Sequence, residues 1–108
     1  MRISQLLQDN AFELVSDNLN DKEITGLYCG DLLSWVMNHA SRGNLWCTVL
    51  THPNVIAIAS LLELSCVIIC ENAPLDDDTI KKANSEGINL LKTYLNSVEV
   101  IKKLLSYD

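Results

Sequence analysis

A chain of 108 residues is sized for one domain, and 48% hydrophobic against 20% charged residues is enough apolar surface to offset a backbone ordering cost of ~1–2 kcal/mol per residue, which argues against disorder. Eight Lys and Arg against 14 Asp and Glu leave a net charge of −6 with no basic run, so the surface repels phosphate backbones and nucleic acid is not an expected partner. No apolar stretch reaches the ~18–20 residues that cross a bilayer, and Met1-Arg2-Ile3-Ser4 leads into no signal-peptide core; the expectation is a cytoplasmic protein without a membrane partner.

The chain opens with ISQLLQ (3–8), read as a short helix capped by Ser4 with Leu6 and Leu7 turned inward. FELVS (12–16) follows as a short strand, and the polar DNLNDKE is a loop. EITGLYCGD then predicts a strand ending at Gly30, after which Asp31 is placed to cap a helix over about 31–41. Within that helix Leu32, Leu33, Val36, Met37 and Ala40 recur at three and four, giving one apolar face. Arg42-Gly43-Asn44 supplies the stop and turn, and LWCTVLT reads as a strand covered on both faces, since its polar alternation is weak.

Thr51-His52-Pro53-Asn54 interrupts the apolar run. Pro53 suits a first helical turn because it has no amide to satisfy, and Thr51 or His52 is placed to cap it. The helix predicted over 53–63 is apolar nearly all round, from Val55, Ile56, Ala57, Ile58, Ala59, Leu61 and Leu62. Such a helix needs a second cover, and a second copy of the chain is the economical one, so a homodimer through helix 53–63 is expected. CVIIC (66–70) is a strand, and Pro74 with Asp76-Asp77-Asp78 starts a helix that runs to about 86 and ends at Gly87; the aspartates favour the positive end of the helix dipole. INLLKT supplies a last strand, and Asn96 or Ser97 begins a final helix faced by Val98, Val100, Ile101, Leu104 and Leu105. Strand and helix alternating at roughly 20-residue intervals predict one α/β domain over residues 1–108: three α/β/α layers, Rossmann-like, around a small, mostly parallel sheet.

In open parallel sheets ligands bind beyond the carboxyl ends of the strands. Four corners then share one rim, and its candidate ligand-binding residues are Gly30, Asp31, Thr51, His52, Asn54, Glu71, Asn72 and Thr93, with Tyr94 beside them. The competing reading is that each residue only caps its helix. No nucleotide-loop or nucleophile-elbow motif is present, and His39 falls on the polar edge of a helix, so no catalytic residue is assigned. A pairing of His52 with Cys29 or Cys70 has no third orienting group. Cys29, Cys47, Cys66 and Cys70 lack CxxC spacing and read as free core thiols, with no metal and no cofactor; Cys66 and Cys70 share a strand face but stand too far apart in rise to bond. Trp35, Trp46 and Tyr28 read as packing residues.

The segments EITGLYCGDLLSWVMNHA and LWCTVLTHPNVIAIASLLELSCVIICENAPLDDDTIKKANSEGINLLKTYLNSVEVIKKL together resemble the DRTGG-domain family over nearly the whole chain. The resemblance implies a Rossmann-like regulatory or accessory module of the kind found alone, ahead of phosphotransacetylase catalytic domains, beside CBS domains, and in the amino-terminal domain of HPr kinase/phosphorylase. Gly30-Asp31 stands where the family has its glycine and Asp-Arg corner, and Thr51-His52-Pro53 where it has Thr-Gly-Gly. Leu32 replaces the family's arginine and His52-Pro53 its glycine pair, which removes the direct partner of an anion and hinders close backbone approach.

The expected function is a non-catalytic regulatory module, a homodimer sensing a small metabolite or binding a protein partner through the rim. A pure interaction scaffold is the first alternative. The second is an enzyme using His52 with a rim carboxylate, Asp31 or Glu71.

Overall fold

The structure, a computed structural model, describes residues 1–107. Five strands form one sheet: β1 (Glu13–Leu14), β2 (Gly26–Cys29), β3 (Asn44–Thr48), β4 (Cys66–Ile69) and β5 (Leu90–Lys92), in the spatial order β1-β5-β4-β3-β2. β2, β3, β4 and β5 run parallel, and β1 pairs antiparallel with β5 at one edge. The fold is therefore α/β with a small, mostly parallel, Rossmann-like sheet.

The helices are α1 (Ile3–Leu6), α2 (Leu33–His39), α3 (Asn54–Leu62), α4 (Asp77–Glu86) and α5 (Ser97–Leu105). The three crossovers from β2 to β5 step the same way across the sheet, so α2, α3 and α4 lie side by side on one face. There Val36, Val55, Ile56, Ala59 and Ala83 pack on Trp46, Val67, Ile69 and Leu90. The other face carries Leu45, Cys47, Cys66, Ile68, Cys70 and Leu91, covered by Ile3 and Leu6 from the amino end of the chain and Val100 and Leu104 from the carboxyl end. The two sets alternate along each strand with the period of two that a pleated backbone dictates. β4 is buried along its whole length, which is why CVIIC contains no polar residue.

Local signals set several boundaries. Asp76 is the N-cap of α4, with Asp77 and Asp78 in its first turn, and Gly87 closes that helix with φ 67° in the left-handed region. Gly43 has φ 81°, and a Cβ there would run into the Thr25 side chain, so this turn requires glycine on two counts. Asn96 caps α5 in a capping box with Glu99.

Other expectations are corrected. Ser4 lies inside α1, and its amide and hydroxyl donate to the Asp21 carboxylate at 3.0 and 2.8 Å; Arg2 is the N-cap. β1 is shortened because the Val15 and Ser16 amides both reach the Leu90 carbonyl, which breaks the ladder. α4 begins at Asp77, with Pro74 as a lead-in. α2 is shorter than 31–41, and its apolar stripe does not all turn inward: Val36 is buried and Leu33 and Ala40 are half-buried, while Leu32 and Met37 are exposed. The reason is position, since α2 lies over β2, the free edge of the sheet, and no further strand extends under it. Trp35 is likewise exposed on α2, not packed, with its ring stacked on His39 at 4.1 Å between centroids. Among the described residues, no helix is long and apolar enough to cross a membrane.

Candidate functional site

Parallel register levels the strand ends. Cys29 lies beside Cys47, Thr48 beside Ile69, and Ile69 beside Lys92, so the turns after β2, β3, β4 and β5 emerge along one rim. Those turns carry Gly30-Asp31, Thr51 to Asn54, Glu71-Asn72 and Thr93-Tyr94, and the four corners predicted from sequence share one edge of the sheet.

The corners are bonded to each other. Asp31 does not cap α2; its Oδ1 accepts from Thr48 Oγ1 at 2.7 Å and from the Val49 amide at 3.0 Å, tying the end of β2 to the end of β3. Trp46 Nε1 donates to the Gly30 carbonyl at 2.9 Å from beneath. His52 serves its own helix, its Nδ1 accepting from the Asn54 amide at 3.1 Å, which places the proton of the neutral ring on Nε2. The next α3 amides are also occupied, Val55 by the His52 carbonyl and Ile56 by the Pro53 carbonyl, each at 3.0 Å. The Thr51 carbonyl accepts from Thr79 Oγ1 on α4.

Glu71 and Asn72 sit consecutively in the left-handed region, with φ of 60° and 51°. That conformation directs the Glu71 amide to the Leu95 carbonyl at 2.9 Å and the Asn72 amide to the Thr93 carbonyl at 3.0 Å, so the β4 and β5 turns are clipped together. Asparagine tolerates this region and glutamate seldom enters it, so only half of this clip had a sequence signal. Thr93 is buried, and its hydroxyl accepts from the Leu95 amide. Asp31, His52, Asn54, Glu71 and Asn72 are exposed, and Gly30 and Thr51 are half-buried.

The rim is shallow. A cavity of about 340 Å³ adjoins its β5 end, lined by Val15, Ala73, Pro74, Leu75 and Ile80 with Asn72 and Lys92 as its polar groups. Asn72 is the one predicted site residue that reaches it. A larger cavity, about 510 Å³, lies away from the rim residues among Met1, Gln5, Gln8, Asp9 and Tyr107. There the Tyr107 hydroxyl, the Ala11 amide and Lys103 all donate to the Asp9 carboxylate and hold its pKa down at about 2.

Three thiols form a row that sequence reasoning missed. Cys29 and Cys47 are register partners, and Cys70, just past β4, shares the face of Cys47, its thiol donating to the Ile68 carbonyl at 3.8 Å. Hydrogen bonding to Cys47 lowers the Cys29 thiol to about 7, against burial and the neighbouring Asp31 charge, which act upward. The same bonding lowers Cys70, while Cys47 is raised by its two thiol neighbours, and burial raises Cys66. Strand register was the missing signal, since 18 positions separate Cys29 from Cys47 in the chain. Cys29 thus has a thiol, not His52, as its neighbour. Among the described residues, no group of three or more His, Cys, Asp or Glu side chains is arranged to hold a metal ion.

Compared with known proteins, the chain matches no family model and no curated protein. The geometry itself offers binding chemistry at the rim: exposed carboxylates, two amides and an imidazole, mounted on a rigid hydrogen-bonded edge.

Asp31→Ala is expected to lower unfolding free energy by about 1–3 kcal/mol, because it leaves the Thr48 hydroxyl and Val49 amide without their acceptor; urea denaturation measures it, and unchanged stability would show the carboxylate to be free of the corner. Asp9 has a folded pKa below its unfolded value, so its stabilising contribution is present in full above about pH 4 and fades as pH falls towards about 2. Asp9→Asn is therefore expected to flatten the loss of stability between about pH 5 and about pH 2 relative to the unsubstituted chain, read from urea midpoints across that window.

Proposed function

We propose that the chain is a non-catalytic regulatory or accessory module of the cytoplasm that pairs with a second copy of itself through the outer side of α2 and α3, leaving the strand-end rim to receive a small polar metabolite or a protein partner. The observation that carries this reading is the apolar surface on those two neighbouring helices. Leu32 is 64% exposed, Trp35 58%, Met37 43% and Leu61 70%. Four large apolar side chains on one helical layer of so small a domain favour association, and two-fold pairing is the commonest way a chain covers such a layer.

The surface differs from the one the bare sequence suggests. Val55, Ile56 and Ala59 belong to the chain's own core, so α3 offers Ala57 and Leu61 outward, and α2 supplies the rest. A charge at Ile56 would unfold the monomer and does not test pairing. The rim supports binding over covalent chemistry because its hydroxyls and its histidine are engaged in holding corners, and the resemblance to DRTGG domains points the same way.

Sedimentation at micromolar concentration is expected to show a dimer, and the double variant Trp35→Glu/Leu61→Glu a folded monomer with unchanged far-UV circular dichroism; a monomeric unsubstituted chain would overturn the pairing. For the rim, a thermal-shift screen with nucleotides, acetyl-CoA and phosphorylated metabolites is expected to raise Tm for at least one class at millimolar concentration. No shift across all of them would leave a protein partner as the ligand.

A further inference from the structure

We propose that Cys29 is a hydroperoxide-reactive thiol and Cys47 its resolving partner, so that the free edge of the sheet carries a reversible cysteine-oxidation site. The inference rests on the thiol row and stands apart from the pairing of copies. Cys29 is exposed at the end of β2, an edge strand paired on one side alone, whereas Cys47, Cys66 and Cys70 are buried. Leu27, two residues before Cys29, packs into the same core cluster as Cys47, so the period of two puts Cys29 and Cys47 on one face of the sheet. They are register partners. Neighbouring strands lie ~4.8 Å apart, within the ~4.4–6.8 Å between Cα atoms that a disulfide spans. The backbones already stand at that spacing, so rotation of the two side chains closes the remaining gap between the sulfurs.

The sequence of steps balances with a hydroperoxide as oxidant. The Cys29 thiolate attacks one peroxide oxygen, an S–O bond forms, the O–O bond breaks, and the other oxygen leaves as alcohol or water after taking a proton. Cys29 is then a sulfenic acid, oxidised by two electrons. The Cys47 sulfur attacks the Cys29 sulfur, an S–S bond forms, the S–O bond breaks, and hydroxide departs as water with the Cys47 proton. The neighbouring Cys47 thiol lowers the pKa of Cys29, which favours the thiolate needed for the first step, and as the register partner Cys47 is adjacent for the second. Cys66 is the internal control: it lies in the same core with no access to solvent, and burial keeps it protonated.

The reduced, full-length chain, treated with a small excess of hydrogen peroxide and mapped without reductant, is expected to lose two hydrogens in intact mass and to yield a Cys29–Cys47 linked peptide that dithiothreitol cleaves. Cys47→Ser is expected to stop at a dimedone-trapped sulfenic acid on Cys29, and Cys29→Ser to leave Cys47 reduced. One measurement needs no variant: at pH near 7 the folded chain should be alkylated by iodoacetamide at Cys29 about threefold faster than the urea-unfolded chain, since the gain in thiolate outweighs the loss of intrinsic nucleophilicity. Slower alkylation in the folded state, or peroxide products confined to links between the Cys29 residues of two copies, would overturn the assignment.

Discussion

The structure depends on two central strands that have no face towards water. Along β4 every side chain from Cys66 to Ile69 is buried, and along β3 so are Leu45 to Thr48, because helices lie over both faces of the sheet. Burial of each large apolar side chain stabilises the fold by ~1.5–3 kcal/mol, and a polar group without a partner in that interior would cost as much or more. The polar residues of these segments are therefore confined to the strand ends. In a parallel sheet the ends coincide, so the same constraint that fills the core also assembles the rim.

Coincidence on a rim does not make a group available. Asp31 stands at the mouth of β2 with a carboxylate suited to a ligand, yet one of its oxygens serves Thr48 and Val49. Thr93 is buried and His52 is turned onto the first turn of α3. The corners gain rigidity from these bonds, and Glu71, Asn72 and Asn54 remain exposed along the edge. The opposite face of the sheet is closed differently, by the two ends of the chain. Arg2 and Ser4 meet Asp21, and Lys103 with Tyr107 meets Asp9, so polar ties fasten α1 and α5 where no crossover does.

Much of the fold was legible because its signals are local. Pro53, Gly43, Gly87 and Asp76 mark turns and helix ends through backbone geometry that each residue carries with it, and the uninterrupted CVIIC run declares a strand covered on both faces. The rim was legible for the same reason, since its positions follow from where strands stop. What was not legible depends on neighbours. Periodicity gives α2 an apolar stripe without revealing that β2 is the last strand beneath it, and so Leu32 and Met37 were assigned inward. The same holds for Asp31, whose partners lie on another strand, and for the thiol row, because only register brings Cys29 to Cys47. The parallel pairing was inferred from composition, but β1 pairs antiparallel through a ladder broken by the double contact at Leu90, for which the sequence holds no cue.

These neighbour-dependent features converge on one region. β2 is the strand with a free edge beside the crossover layer, α2 leaves Trp35 and Met37 uncovered, and Cys29 is the one exposed cysteine. Gly30, Asp31 and Leu32 are all that separate Cys29 from α2. Strand edge, rim corner and outer helix are thus contiguous along the chain. The central strands, paired on both sides, have no such edge.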